Sequence, residues 1–123
     1  MAKTFLICGS LGMFLAVGLG AYAAHALKTR LSAEMFSVFE VAVRYHVYHA
    51  LALLFLALLQ MQLSSINFSP VGYLFIFGTI LFSGSLYVLA CTSISWFGAI
   101  TPVGGLCFLA GWLLLASKIF RSF

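Results

Sequence analysis

Acidic residues are almost missing from this 123-residue chain, where Glu34 and Glu40 stand alone. No Asp, Glu, Lys or Arg occurs between Arg44 and Lys118. A proton pump built on a membrane carboxylate would have only those two glutamates to use, which argues against one. Basic residues are also few and form no run that could follow a phosphate backbone, so nucleic acid is not expected as a partner. The cysteines Cys8, Cys91 and Cys107 are odd in number and lack metal-type spacing, and they read as small buried hydrophobes. The serines have neither a Gly-x-Ser-x-Gly elbow nor an acid to orient a neighbouring histidine. No catalytic residue is therefore assigned, and no enzyme, metal or cofactor is expected.

What the chain has instead is apolar mass. It is 64% hydrophobic and 7% charged, far from the composition of a soluble domain. The formal net charge of +4 comes from residues beside apolar segments, which suits phospholipid headgroups. We expect one all-α domain over residues 1–123, an integral membrane four-helix bundle.

The first span is expected at about 4–24, long enough to cross a hydrocarbon core of roughly 30 Å. Lys3 and Ala21-Tyr22-Ala23 mimic a cleavable leader, but the apolar stretch is long for one, and an uncleaved span is expected. His25, Lys28 and Arg30 follow, where positive groups suit the carbonyl end of a helix. From about 31 to 44, Leu31, Met35, Phe39 and Ala42 keep helical spacing while Glu34, Ser37, Glu40 and Arg44 gather elsewhere. This predicts an amphipathic helical connection between spans 1 and 2, with Ser32 as its cap. Glu40 and Arg44, four apart, are placed to pair.

The second span is expected at about 45–63. Its apolar stripe continues through His46, His49 and Leu53, so both histidines should face protein. Ser64, Ser65, Asn67, Ser69 and Pro70 form a turn, with Ser69 capping a third span at about 70–91. Ser83, Gly84, Ser85 and Tyr87 give that span a small polar face. Thr101-Pro102 repeats the capped start for a fourth span at about 101–120, after a turn anchored by Trp96.

Two groups of residues stand out. His25, Arg44, Tyr45, His49, Ser83 and Tyr87 are the candidates for a polar cluster, since ionisable groups in a membrane are costly and often functional. Gly12, Ala16 and Gly20, with Ala24, recur every four residues, and Gly84, Gly104 and Gly111 recur on later spans; such faces let helices approach closely. Four spans put both termini on one side with Lys3, Lys118 and Arg121. Lys28, Arg30 and Arg44 mark the other side, so the positive charges do not decide orientation.

Four stretches resemble a known family: Gly20-Ala21-Tyr22-Ala23-Ala24-His25-Ala26-Leu27, Tyr45-His46-Val47-Tyr48-His49-Ala50-Leu51-Ala52-Leu53, Phe82-Ser83-Gly84-Ser85-Leu86-Tyr87, and Gly98-Ala99-Ile100-Thr101-Pro102-Val103-Gly104-Gly105. Together they resemble the membrane family called domain of unknown function 423, to which the eukaryotic transmembrane protein 256 is also similar. The resemblance covers nearly the whole chain and implies four spans in a bacterial inner membrane, with no established activity. It singles out His25, Tyr45, His49, Ser83, Gly84, Ser85, Tyr87, Thr101, Pro102, Gly104, Gly105 and Trp112. The chain departs from the family at Ala23, where glycine is usual, and at His46, where glutamine is usual. Exchange of glutamine and histidine implies a hydrogen-bonding site there rather than a metal ligand.

Two functions follow as expectations. One is an uncharacterised multi-pass protein that binds or moves a small molecule or lipid through the His/Arg/Tyr cluster. The other is a non-enzymatic accessory or assembly protein that packs through its Gly/Ala faces against itself or a larger membrane complex. A lined cavity favours the first, and surplus small-residue faces favour the second. A histidine-held metal or haem is the weakest reading, drawn from His25, His46 and His49 alone.

Overall fold

The computed structural model describes residues 1–123. It is built from helices, four of them long and apolar enough to cross a membrane. Helix α1 runs Ala2–His25, and a 3-10 turn at Leu27–Thr29 leads to α2, Ala33–Gln62. The third crossing is composite: α3 at Ser69–Thr79, a wide π turn at Ile80–Gly84, and α4 at Ser85–Thr92. A second 3-10 turn at Ser95–Ala99 precedes α5, Thr101–Phe120.

The amphipathic stretch runs straight into the second span, the two forming the single helix α2. At 30 residues and about 1.5 Å per residue, α2 is roughly 45 Å long and overreaches the hydrocarbon layer. Phe39 and Ala42 are buried against neighbours while Glu34, Ser37, Glu40 and Arg44 are exposed. The Ser32 hydroxyl accepts the Met35 N–H at 3.2 Å and closes the start of the helix.

Two other expected caps are not formed. Ser69 is already inside α3; the Asn67 side chain accepts its N–H at 3.0 Å. Gln60 does the rest of the work at this turn. Its Oε1 accepts the Phe68 N–H and its Nε2 donates to the Ile66 carbonyl, each at 2.9 Å. Thr101 does not cap α5 either, because its hydroxyl meets Ser85 Oγ at 2.7 Å and the Phe97 carbonyl at 3.4 Å. At the end of α4, Ser93 takes a left-handed conformation with φ of 56° and stops the helix.

Glycines set the spacing of the bundle. A Cβ at Gly9 would stand 2.8 Å from Leu54 and 2.9 Å from the Ala50 carbonyl; at Gly12 it would stand 3.4 Å from Ala50, and at Gly20 3.3 Å from Val43. With the fully buried Ala16, these residues form a seam that lies within the chain, against the Val43–Ala50–Leu54 side of α2. Elsewhere phenylalanines fill the glycine positions. The Phe5 ring takes the space at Gly72, Phe75 that at Gly111, Phe108 that at Gly78, and the backbone of Phe82 crosses directly over Gly104.

One expectation about packing faces is corrected here. Gly84 is half-buried, but a Cβ built on it meets nothing within 4 Å, so it marks no close approach of helices. On α5 the expected Gly104–Gly111 face is buried, together with Phe108 and Leu115, with Cys107 on its flank.

The larger core, around Phe5, Leu56, Phe68, Val71, Phe75 and Phe108, lies toward the end that holds both termini; a smaller one around Ala23, Leu27, Phe39 and Ala90 lies toward the other. Outward apolar residues are fully displayed, with Phe14 75% and Leu113 74% exposed. Such a surface suits lipid and would be an association hazard in water.

Gly104→Leu is expected to prevent folding, because the new side chain must displace the Phe82 backbone. Gly84→Leu should shift unfolding free energy by less than about 1 kcal/mol. Denaturant titration in detergent checks both, and equal behaviour of the two variants would contradict the interlocking of α5 with the third crossing.

Candidate functional site

The six polar candidates do not converge. His25 is exposed at the end of α1, and Arg44 is exposed on the opposite flank of α2 from His49. Arg44 and Glu40 share a shallow groove with Gly20 and Phe36 without forming an ion pair. One residue advances a helix by about 100°, so Arg44 and His46 face nearly opposite ways. The expected single cluster is therefore corrected to separate ties between helices, with His25 and Arg44 outside them. His25, His46 and His49 likewise do not gather into a three-ligand metal set.

Each tie follows from which face of α2 a residue occupies. Ser83, aimed by the π turn, donates to the Ala42 carbonyl at 2.8 Å. One turn along α2, His46 Nδ1 lies 2.9 Å from the Tyr87 hydroxyl. On the side facing α5, Trp112 Nε1 donates to His49 Nε2 at 3.1 Å. Ser85 and Thr101 join α4 to α5. Every sealed side-chain nitrogen or oxygen has a partner, as the absence of water in a bilayer demands.

Hydrogen-bond chemistry assigns the tautomer of His49. His49 Nδ1 lies 2.8 Å from the Tyr45 carbonyl, which can only accept, so Nδ1 carries the proton. Nε2 is then the acceptor that Trp112 requires. His46 Nδ1 faces the Tyr87 phenol, which can either donate or accept, so its proton is not set by that contact.

His49 also holds an aromatic cluster. Its ring stacks on Phe108 at 3.5 Å and 7°, and meets Phe75 edge-on at 5.3 Å. Tyr45 packs on Phe82 at 4.8 Å, and Trp112 on Phe75 at 4.8 Å. Tyr45, His49, Phe82, Phe108 and Trp112 wall a cleft of about 490 Å³ between α2, the third crossing and α5, with Pro102, Gly105, Leu106 and Leu109 completing its lining. Pro102 to Trp112 spans ten residues of α5, so the cleft runs roughly 15 Å along the bundle axis.

Tyr45, His49 and Trp112 were visible beforehand, the last through the family resemblance. Phe82 and Phe108 were not. Phe108 sits four residues after Gly104 and three before Gly111, and that spacing was a usable signal.

His49→Ala should destabilise the protein by about 2 kcal/mol, through lost stacking and a Trp112 N–H left without a partner. Trp112→Phe keeps the ring and should cost only about 0.6 kcal/mol, the mean for a membrane hydrogen bond. Unfolding in detergent measures both, and a His49→Ala loss no greater than that of Trp112→Phe would contradict this geometry.

Comparison with known proteins agrees with this architecture. Residues 19–105 match the family described as "Protein of unknown function (DUF423)". The chain is 48% identical over 119 residues to UPF0382 membrane protein SSP2132 of Staphylococcus saprophyticus, covering 97% of this chain and 98% of the relative. It is 45% identical over 114 residues to UPF0382 membrane protein YwdK of Bacillus subtilis, covering 92% and 93%. No solved structure matches it. With four crossing helices and relatives of this kind along nearly its full length, the chain is a multi-pass cell-membrane protein and belongs to the DUF423 family.

Proposed function

We propose that this protein binds a membrane lipid, holding an acyl chain in the Tyr45–Trp112 cleft. The observation that carries this reading is the cleft itself. Its volume of about 490 Å³ falls within the range of small-molecule sites, and its wall is aromatic and aliphatic with few polar atoms. It runs along the bundle axis, the direction in which acyl chains lie. Tyr45 is 37% exposed and its hydroxyl has no protein partner, which leaves one free polar group on the cleft wall, while the Pro102 end of the cleft lies nearest the membrane surface.

Most of the small-residue faces favour binding over assembly: Gly12, Ala16, Gly20, Gly104 and Gly111 are spent within the chain, and of the packing candidates Gly84 alone stays open.

The test is to fill the cleft without disturbing the fold. A Cβ at Gly105 has Phe82 as its neighbour at 3.8 Å, so Gly105→Leu can project into the cleft. Native mass spectrometry of wild-type protein, gently extracted from its own membrane, should show a retained lipid that Gly105→Leu loses. A wild-type protein that retains no lipid, or a variant that retains it equally, would sink the proposal. A ligand-free homo-oligomer, or co-extraction with a larger complex, would favour the assembly role.

A further inference from the structure

A second cavity, of about 110 Å³, lies on an adjacent face of α2, between α1, α2 and α3. Its lining includes Cys8, Gly12, His46, Ala50, Thr79 and Ile80. His46 is only 8% exposed and spends Nδ1 on Tyr87. Its Nε2 has no protein partner and points at α1, 3.8 Å from where a Cβ on Gly12 would stand. Since all sealed side-chain nitrogens and oxygens are bonded, this unbonded nitrogen must be one that reaches the cavity.

The position matters as much as the contact. His46 is near the middle of α2, Gly12 near the middle of α1, and Ile80 near the middle of the third crossing. At that depth hydrocarbon offers nothing for an imidazole nitrogen to bond, whether it donates or accepts. The other polar groups in the wall complement it. Thr79 donates its own proton to the Phe75 carbonyl at 2.8 Å, which leaves its oxygen lone pairs as acceptors. The Cys8 thiol is half-buried and can make weak bonds of either kind.

We propose that this cavity is a water-binding site near mid-bilayer, in which His46 Nε2–H donates to a water that in turn donates to Thr79 Oγ1. Its volume accommodates about three waters at the liquid share of roughly 30 Å³ each, and buried waters typically have two to four polar partners. The donor, the acceptor and the thiol supply that number. The site shares no lining residue with the lipid cleft, which lies on the adjacent, α5-facing side of α2.

The test is magnetic resonance of the ¹⁵N-histidine protein in deuterated lipid bilayers, with His46 assigned by its loss in His46→Gln. The expected result is a protonated His46 Nε2 that receives magnetisation directly from water. Cys8→Leu, which fills the cavity, should abolish that transfer while the Tyr87 bond persists. Thr79→Val, which keeps the shape and removes the acceptor, should reduce it several-fold and serves if Cys8→Leu does not fold. An unprotonated Nε2, no transfer from water in the wild type, or undiminished transfer in a folded variant would overturn the proposal.

Discussion

The bundle depends on close contact without help from solvent. In lipid, an exposed Leu and a buried Leu face equally apolar surroundings, so helices gain little by hiding apolar surface and must gain by touching. The seating of Phe5 at Gly72, Phe75 at Gly111 and Phe108 at Gly78 meets this requirement. Each places a large ring where a neighbour has no side chain, which maximises atomic contact and fixes depth and rotation together. Gly104 beneath the Phe82 backbone is the extreme case, one main chain lying directly on another.

Polar groups act as connectors within that frame. Helix α2 is joined to the third crossing by Ala42–Ser83 and His46–Tyr87, and to α5 by His49–Trp112. The third crossing and α5 are joined by Ser85–Thr101, so the three spans form a closed triangle of hydrogen bonds. All of these connectors are neutral, which avoids the large cost of bringing charge into hydrocarbon. The two histidines illustrate how local the decision is. Three residues apart on one helix, they serve different neighbours, one tied to a carbonyl and an indole and the other to a phenol.

Composition and spacing revealed the spans, because long uncharged stretches have few alternatives. The Gly12–Ala16–Gly20 and Gly104–Gly111 faces were readable for a similar reason, since small residues repeating on one side of a membrane helix mark close approach. Gly84 misled because a π turn changes which way a residue points, and nothing in Phe82–Tyr87 announces one. Gly72 and Gly78 were missed because each is isolated, and its meaning lies in a phenylalanine from another helix. The polar cluster was overdrawn for a related reason. His25, Arg44 and His49 were grouped by their place along the chain, which reports depth, whereas contact also requires the right angle around the helix. Ser69 and Thr101 failed as caps because Asn67 and Ser85, respectively, offered them other bonds.

Helix α1 stands outside the triangle. No side-chain hydrogen bond joins it to another span; at its very start, Met1 receives only a long 3.7 Å contact from the Tyr73 hydroxyl. Its Gly/Ala seam holds it by dispersion alone, with Phe5 as its one deep anchor. The other three spans are held in register by directed bonds, whereas α1 is located by shape alone, so the wall it gives the His46 cavity is set by how closely Gly9, Gly12 and Ala16 let it approach α2.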